Sequence, residues 1–170
     1  MKKKFGIIGN PIKHSLSPIL HKYWFEKYGL NASYTTIEAE DKDLKDIIQK
    51  IRNNELAGIN VTLPFKQKIV NQMDKIINDA ELTGSVNTIL LDNDKIIGEN
   101  TDVFGLQAAY LKEIDSDSKK ALVIGAGGVS PSVILSLKKS GIKQITITNR
   151  TKEKCIFLKK KFPYLSILSW

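Results

Sequence analysis

The sequence predicts an α/β fold in two domains: residues 1–101, built on a mostly parallel sheet, and residues 102–170, centred on a strand, a glycine turn and a helix. Three observations carry this. Short apolar runs alternate along the chain with segments whose apolar residues recur at helical intervals, the pattern of strands joined by crossover helices. KKALVIGAGGVSPSVILSLKKSGIKQITITNRT reads as strand, glycine turn, helix, glycine stop and strand. Between these regions the texture changes, and VNTILLDNDKIIGENTD reads as two short strands about the turn Asp92-Asn93-Asp94.

Taken in order, KFGIIGNP is an apolar run bounded by Gly and Pro, a first strand ending in a loop. The next helix begins near Ser17, an N-cap candidate with Pro18 at the first helical position, and stops at Gly29. SYTTIEA is β-prone. DKDLKDIIQKI places Leu44, Ile47, Ile48 and Ile51 on one helical face behind an Asp-rich first turn. LAGINVTL reads as a buried strand running from Ile59 to Leu63 and stopped by Pro64, followed by helical FKQKIVNQM and a second helical piece to about Leu82. The 86–102 hairpin is expected at the edge of the first sheet. A helix over 102–114 and a polar DSDSK loop lead into the second domain.

Composition narrows the function classes. With 42 % hydrophobic residues among 170, the chain can form a real core. It lacks an apolar run long enough to span a bilayer, and MKKKFGIIGN turns polar too early for a signal peptide, so a cytoplasmic protein without membrane partners is expected. The single cysteine, Cys155, excludes an internal disulfide and any multi-cysteine metal site, and reads as a surface or half-buried thiol. The net charge of +8 comes from 24 lysines and two arginines, scattered rather than gathered on one face with aromatics, so no nucleic-acid partner is expected.

ALVIGAGGVSPS follows the dinucleotide-binding pattern, so the second domain is read as part of a Rossmann fold. Gly125 supplies the tight turn, and Gly127 lets the backbone approach a pyrophosphate at the helix N-terminus; Ser130 stands at the third small position. Where an NAD site places a carboxylate for the ribose, this chain has Asn149-Arg150-Thr151 followed by Lys152 and Lys154. A guanidinium binds a 2′-phosphate that a carboxylate would repel, so the expected cofactor is NADP.

In the first domain, GNPIKHSLSP, NVTLPFK, SVNT and GENTDVFG place polar residues beside Gly or Pro at the ends of expected elements. Open α/β sheets bind ligands beyond their strand ends, where such segments converge. Hydroxyls, amides, an ammonium and a carboxylate, with no metal-ligand cluster and no Ser-His-Asp pattern, suit a small polyhydroxylated acid. His14 and His21 lack an acidic or cysteine partner at ligand spacing and read as structural.

These motifs resemble the shikimate dehydrogenase family: Gly9-Asn10-Pro11-Ile12 with His14-Ser15-Leu16-Ser17-Pro18 and His21; Gly58 to Lys66; Gly84-Ser85-Val86-Asn87-Thr88; Asn100-Thr101-Asp102 with Gly105; the glycine turn; and Asn149-Arg150-Thr151. The resemblance implies NADPH-dependent reduction of 3-dehydroshikimate to shikimate, with quinate as the variant substrate and a non-catalytic ligand- or NADP-binding fragment as the alternative. It implies that Ser15 and Ser17 bind the substrate carboxylate, that Asn60, Thr62, Asn87 and Asp102 surround the ring hydroxyls, and that Lys66 and Asp102 are the catalytic pair. The cofactor residues it implies are Gly125, Ala126, Gly127, Gly128, Val129, Asn149, Arg150 and Thr151. It leaves a homodimer open. Lys22 and Pro131 stand where the family commonly has Asn and Arg, and the family is longer than this chain, which reads as lacking the C-terminal part.

Overall fold

The computed structural model describes residues 1–112 and 119–170. They divide into two compact units, Met1–Asn100 and Thr101–Trp170, each with its own core. The end of the expected 102–114 helix and most of the DSDSK loop lie outside the described residues.

The first unit is a six-stranded sheet in the order β2-β1-β3-β5-β6-β4, from β1 (Lys3–Gly9), β2 (Ala32–Glu38), β3 (Gly58–Val61), β4 (Lys75–Ile76), β5 (Thr88–Asp92) and β6 (Lys95–Glu99). The pairs β1–β2, β1–β3 and β4–β6 are parallel, whereas β5 runs against both β3 and β6. The hairpin is therefore interior, and the two-residue strand β4, which the sequence did not announce, takes the edge. Asn93 and Asp94 both have positive φ, as a tight two-residue connection between twisted strands requires.

Helix α1 (Ser17–Lys27) starts one residue earlier than expected: its N-cap is Leu16, and Ser17 is the first helical residue. The Ser15 hydroxyl accepts from the Ser17 backbone N–H, doing locally what the expected cap would have done. Helix α2 (Leu44–Arg52) follows a short 3-10 turn closed by reciprocal Glu40 and Asp43 hydrogen bonds. Its four periodic apolar residues are all buried, packing with Ile8, Ile59, Val61, Phe65 and Ile89 into one core. FKQKIVNQM forms only a 3-10 stretch, Lys68–Gln72, and α3 (Asp79–Thr83) is a single turn that ends at left-handed Gly84. β3 ends at Val61, and Leu63 is 62 % exposed, so the buried run is shorter than the apolar pattern suggested.

The second unit holds α4 (Asp102–Leu106), continued as a π-helix over Gln107–Leu111, then β7 (Lys120–Ile124), α5 (Ser130–Lys139), β8 (Gln144–Thr148), α6 (Lys152–Lys161) and β9 (Leu165–Ile167). Its sheet is all parallel, β7-β8-β9. Ser136 fixes α5 to α4: its buried hydroxyl lies within hydrogen-bond distance of the carbonyls of Val103, 3.0 Å, and Ser132, 2.7 Å. Cys155 is 1 % exposed and part of the core, not the surface or half-buried thiol expected; burial pushes its pKa up and leaves it unreactive.

Candidate functional site

In the first unit the sheet itself collects the polar residues. β1 and β3 run parallel and end at Gly9 and Val61, while antiparallel β5 begins beside them at Thr88, opposite Asn60. The loops after β1 and β3 and the residue before β5 therefore lie at one end of the sheet. The Asn10 N–H donates to the Leu63 carbonyl, 3.0 Å, and the Val86 N–H to the Lys66 carbonyl, 2.8 Å, tying these loops together. A Cβ on Gly9 would lie 2.6 Å from Thr62 Cγ2 and 3.1 Å from the Leu63 carbonyl, so the approach of the first loop to the third strand depends on that glycine.

Ser17, Asn60 and Asn87 are brought into one hydrogen-bonded network. Asn60 Nδ2 donates to the Asn87 carbonyl and to Thr88 Oγ1, both at 3.2 Å, and Thr88 Oγ1 donates to Asn87 Oδ1 at 3.0 Å. Asn60 Oδ1 accepts from the Tyr34 hydroxyl at 2.7 Å, and the same hydroxyl is hydrogen-bonded to Ser17. Burial pushes the Tyr34 phenol up to about 12, with the Ser17 bond opposing. His21 stacks on the Tyr34 ring, centroids 4.0 Å apart and planes within 5°, and burial lowers its pKa, so a stacked, neutral imidazole fits the structural role expected of it.

Lys66 sits half-buried in the turn after β3, directly behind Phe65, which is 1 % exposed and anchors that turn in the core. Thr62 caps the strand end: its N–H donates to the Ile8 carbonyl and its own carbonyl accepts from the Phe65 N–H. Asn100 is buried and spends its amide on Thr83 Oγ1 and the Ser85 carbonyl, which makes it a brace for the chain entering the second unit. Tyr34 was not singled out by the sequence, and Thr88 stood only as the last residue of the SVNT motif, with no role of its own. Tyr34 lies in an ordinary β-prone run, and only its register, two residues before the level of Asn60 in the adjoining strands, reveals its reach.

In the second unit Asp102 is the first residue of α4. It lines a hollow of about 340 Å³ with Gly105, Tyr110, Ser132 and Val129 of the glycine turn, so the unit itself sets Asp102 and that turn around one hollow. Gly125 has φ +108°, a conformation that a side chain would strain, and its N–H donates to the Thr148 carbonyl. Nothing lies within 4 Å of where a Cβ on Gly127 would stand, which leaves the backbone ahead of α5 open to a ligand. Asn149 has a bracing job: its Oδ1 accepts from the Ala126 N–H, 3.1 Å, and its Nδ2 donates to the Thr151 carbonyl, 2.9 Å. Ser130 closes the turn from within, its Oγ donating to the Gly125 carbonyl at 3.0 Å, which accounts for a serine at the third small position. Arg150 and Thr151 are exposed at the end of β8. An open turn at a helix start, followed one strand later by an exposed guanidinium, fits a dinucleotide with a 2′-phosphate. Among the described residues no three His, Cys, Asp or Glu side chains gather as a metal site.

Comparison with known proteins follows this division. Residues 7–89 match the shikimate dehydrogenase substrate binding domain, and residues 107–168 match the shikimate / quinate 5-dehydrogenase family. The shikimate dehydrogenase (NADP(+)) of Pelagibacter ubique is 47 % identical over 171 residues, covering 100 % of this chain and 64 % of its own length. Among solved structures, the shikimate dehydrogenase of Aquifex aeolicus superposes with a TM-score of 0.90 at 39 % identity, over 98 % of this chain and 62 % of that one. The Thermus thermophilus shikimate 5-dehydrogenase in complex with NADP(H) and shikimate gives 0.87 at 32 % identity, over 98 % and 62 %. The chain thus spans somewhat over three fifths of the length of such relatives. With both of its units matched in order, the chain belongs to the shikimate dehydrogenase family.

Proposed function

We propose that the chain carries the substrate and cofactor elements of an NADP-dependent shikimate dehydrogenase, which interconverts 3-dehydroshikimate and shikimate. Residues 1–101 would hold the substrate and 102–170 part of the NADP site. The observation that carries the reading is the network joining Ser17, Tyr34, Asn60, Thr88 and Asn87 from four separate segments at one end of a sheet, a concentration of donors and acceptors suited to a polyhydroxylated carboxylate.

In this reading Ser15 and Ser17, both half-buried, hold the substrate carboxylate, and Asn60, Thr62, Asn87 and Asp102 fix the ring hydroxyls. NADPH, when bound, supplies a hydride to the C3 carbonyl carbon. The Lys66 ammonium stabilises the charge growing on the carbonyl oxygen and gives it a proton, leaving the alcohol. Asp102, beside the glycine turn, is the second catalytic residue. Gly125, Ala126, Gly127, Gly128 and Val129 form the turn that receives the pyrophosphate, and Arg150 with Thr151 receives the 2′-phosphate on a platform braced by Asn149. A cytoplasmic location accords with this; among the described residues no helix is long and apolar enough to cross a membrane.

Two measurements test the reading. In the complete protein, NADPH oxidation with 3-dehydroshikimate is expected, and Lys66→Ala should lower kcat by about 10²- to 10⁴-fold while the circular dichroism stays unchanged; near-normal turnover would remove Lys66 from the chemistry, and faster turnover of quinate than of shikimate in the reverse direction would reassign the substrate. On the 170-residue chain, calorimetry should show Arg150→Ala weakening NADP⁺ binding about tenfold or more with NAD⁺ unaffected. Equal losses for the two nucleotides would argue against the 2′-phosphate assignment.

A further inference from the structure

We propose that Tyr34 is a positioning residue for the substrate: its hydroxyl donates to Asn60, which is joined through Thr88 to Asn87, and so holds both amides in one orientation. This rests on the substrate reading above. The direction follows from counting protons. Tyr34 has a single hydroxyl hydrogen, and it is committed to Asn60 Oδ1 at 2.7 Å; the Asn60 amide presents its oxygen there because its Nδ2 donates to the Asn87 backbone carbonyl, 3.2 Å, which can only accept. With its oxygen turned to Tyr34, Asn60 directs Nδ2 to Thr88 Oγ1, 3.2 Å. That hydroxyl, now an acceptor on one side, donates on the other to Asn87 Oδ1, 3.0 Å. A flipped Asn60 amide would set its oxygen against the Asn87 carbonyl, two acceptors face to face.

The sheet explains why a tyrosine does this. Tyr34 stands on β2, while Asn60 stands on β3 with β1 between them. Phe5 is level with Tyr34, and Ile7, two residues on, is level with Asn60, so both side chains share one face of the sheet. Two strand spacings are about 9–10 Å, beyond a serine or threonine and within the diagonal reach of a phenol. His21 stacked on the ring at 4.0 Å holds it in line. With its pKa near 12, Tyr34 remains a donor throughout the physiological range.

A polyol offers hydroxyls that both donate and accept, so a binding amide that can flip loses its selectivity for their arrangement; the network that Tyr34 completes through Asn60 and Thr88 removes that freedom from two amides at once. The test uses the ¹⁵N-labelled 170-residue chain. Tyr34→Phe keeps the stacked ring and deletes the relay, and should move the side-chain NH₂ signals of both Asn60 and Asn87 while leaving that of Asn100, which is bonded elsewhere, in place. It should also raise the Kd for shikimate five- to tenfold. Thr88→Val, which cuts the next link, should move the same two signals, and the double variant should bind no worse than the weaker single one, as residues acting through one network do. An unmoved Asn87 signal, or effects on Kd that add, would overturn the relay. If Tyr34→Phe fails to fold, the Asn60 and Asn87 signals of Thr88→Val decide the relay in its place. If the parent chain binds no shikimate, the substrate reading falls instead, and the amide signals alone decide the relay.

Discussion

At the scale of single residues, the same loop that carries Lys66 is held by two unlike neighbours, a glycine and an aromatic ring. Gly9 has no room for a methyl group, so Gly9→Ala should destabilise the chain by about 1–3 kcal/mol and shift the urea midpoint accordingly. Phe65 is almost wholly enclosed, and Phe65→Ala should cost about 3–5 kcal/mol. Asp74 couples stability to pH. Its carboxylate accepts two 2.7 Å bonds from the Arg52 guanidinium and one from the Ile96 N–H, and these hold its pKa below the usual aspartate value. A carboxylate depressed in the folded state contributes stability that is complete above its unfolded pKa of about 4 and is lost as pH falls through the folded one. Asp74→Asn should therefore flatten the acid limb of the melting-temperature profile and leave its shape above pH 6 unchanged; an unaltered acid limb would count against the coupling.

At the scale of elements, what was legible in the sequence was whatever depends on local pattern. The Leu44-Ile47-Ile48-Ile51 spacing marked out α2, and the glycine turn marked the β7–α5 crossover, because period and turn chemistry act within a few residues. Three things were not legible. β4 is two residues long and exists only through its pairing with β6. The start of α1 moved because Ser15, not Ser17, supplies the oxygen near its first turn. Tyr34 could not be placed in the site because its partner lies two strands away and 26 positions later in the chain. The β5–β6 hairpin was legible in kind but not in place, since edge or interior position is decided by what pairs with its outer strand. Its turn carries a strained residue: Asp94 has φ +60°, and Asp94→Gly should stabilise the chain by about 0.5–1 kcal/mol, measured by urea unfolding.

At the scale of the whole molecule, the chain has two cores and much exposed apolar surface. Ile19, Leu20, Tyr23, Phe104, Tyr110 and Ile124 are each at least 54 % exposed. Surface of this kind in the 170-residue chain should enhance the fluorescence of an apolar dye such as ANS under native conditions, and an absence of enhancement would show that it is covered in solution. The two cores also differ in one chemical respect. The chain's single thiol, Cys155, lies wholly in the second of them, and none lies in the first. A disulfide reagent such as DTNB can reach it only when that core opens. The pseudo-first-order labelling rate is therefore a clock for one half of the molecule, and a mutation in the first unit that leaves the rate unchanged has been felt only where it was made.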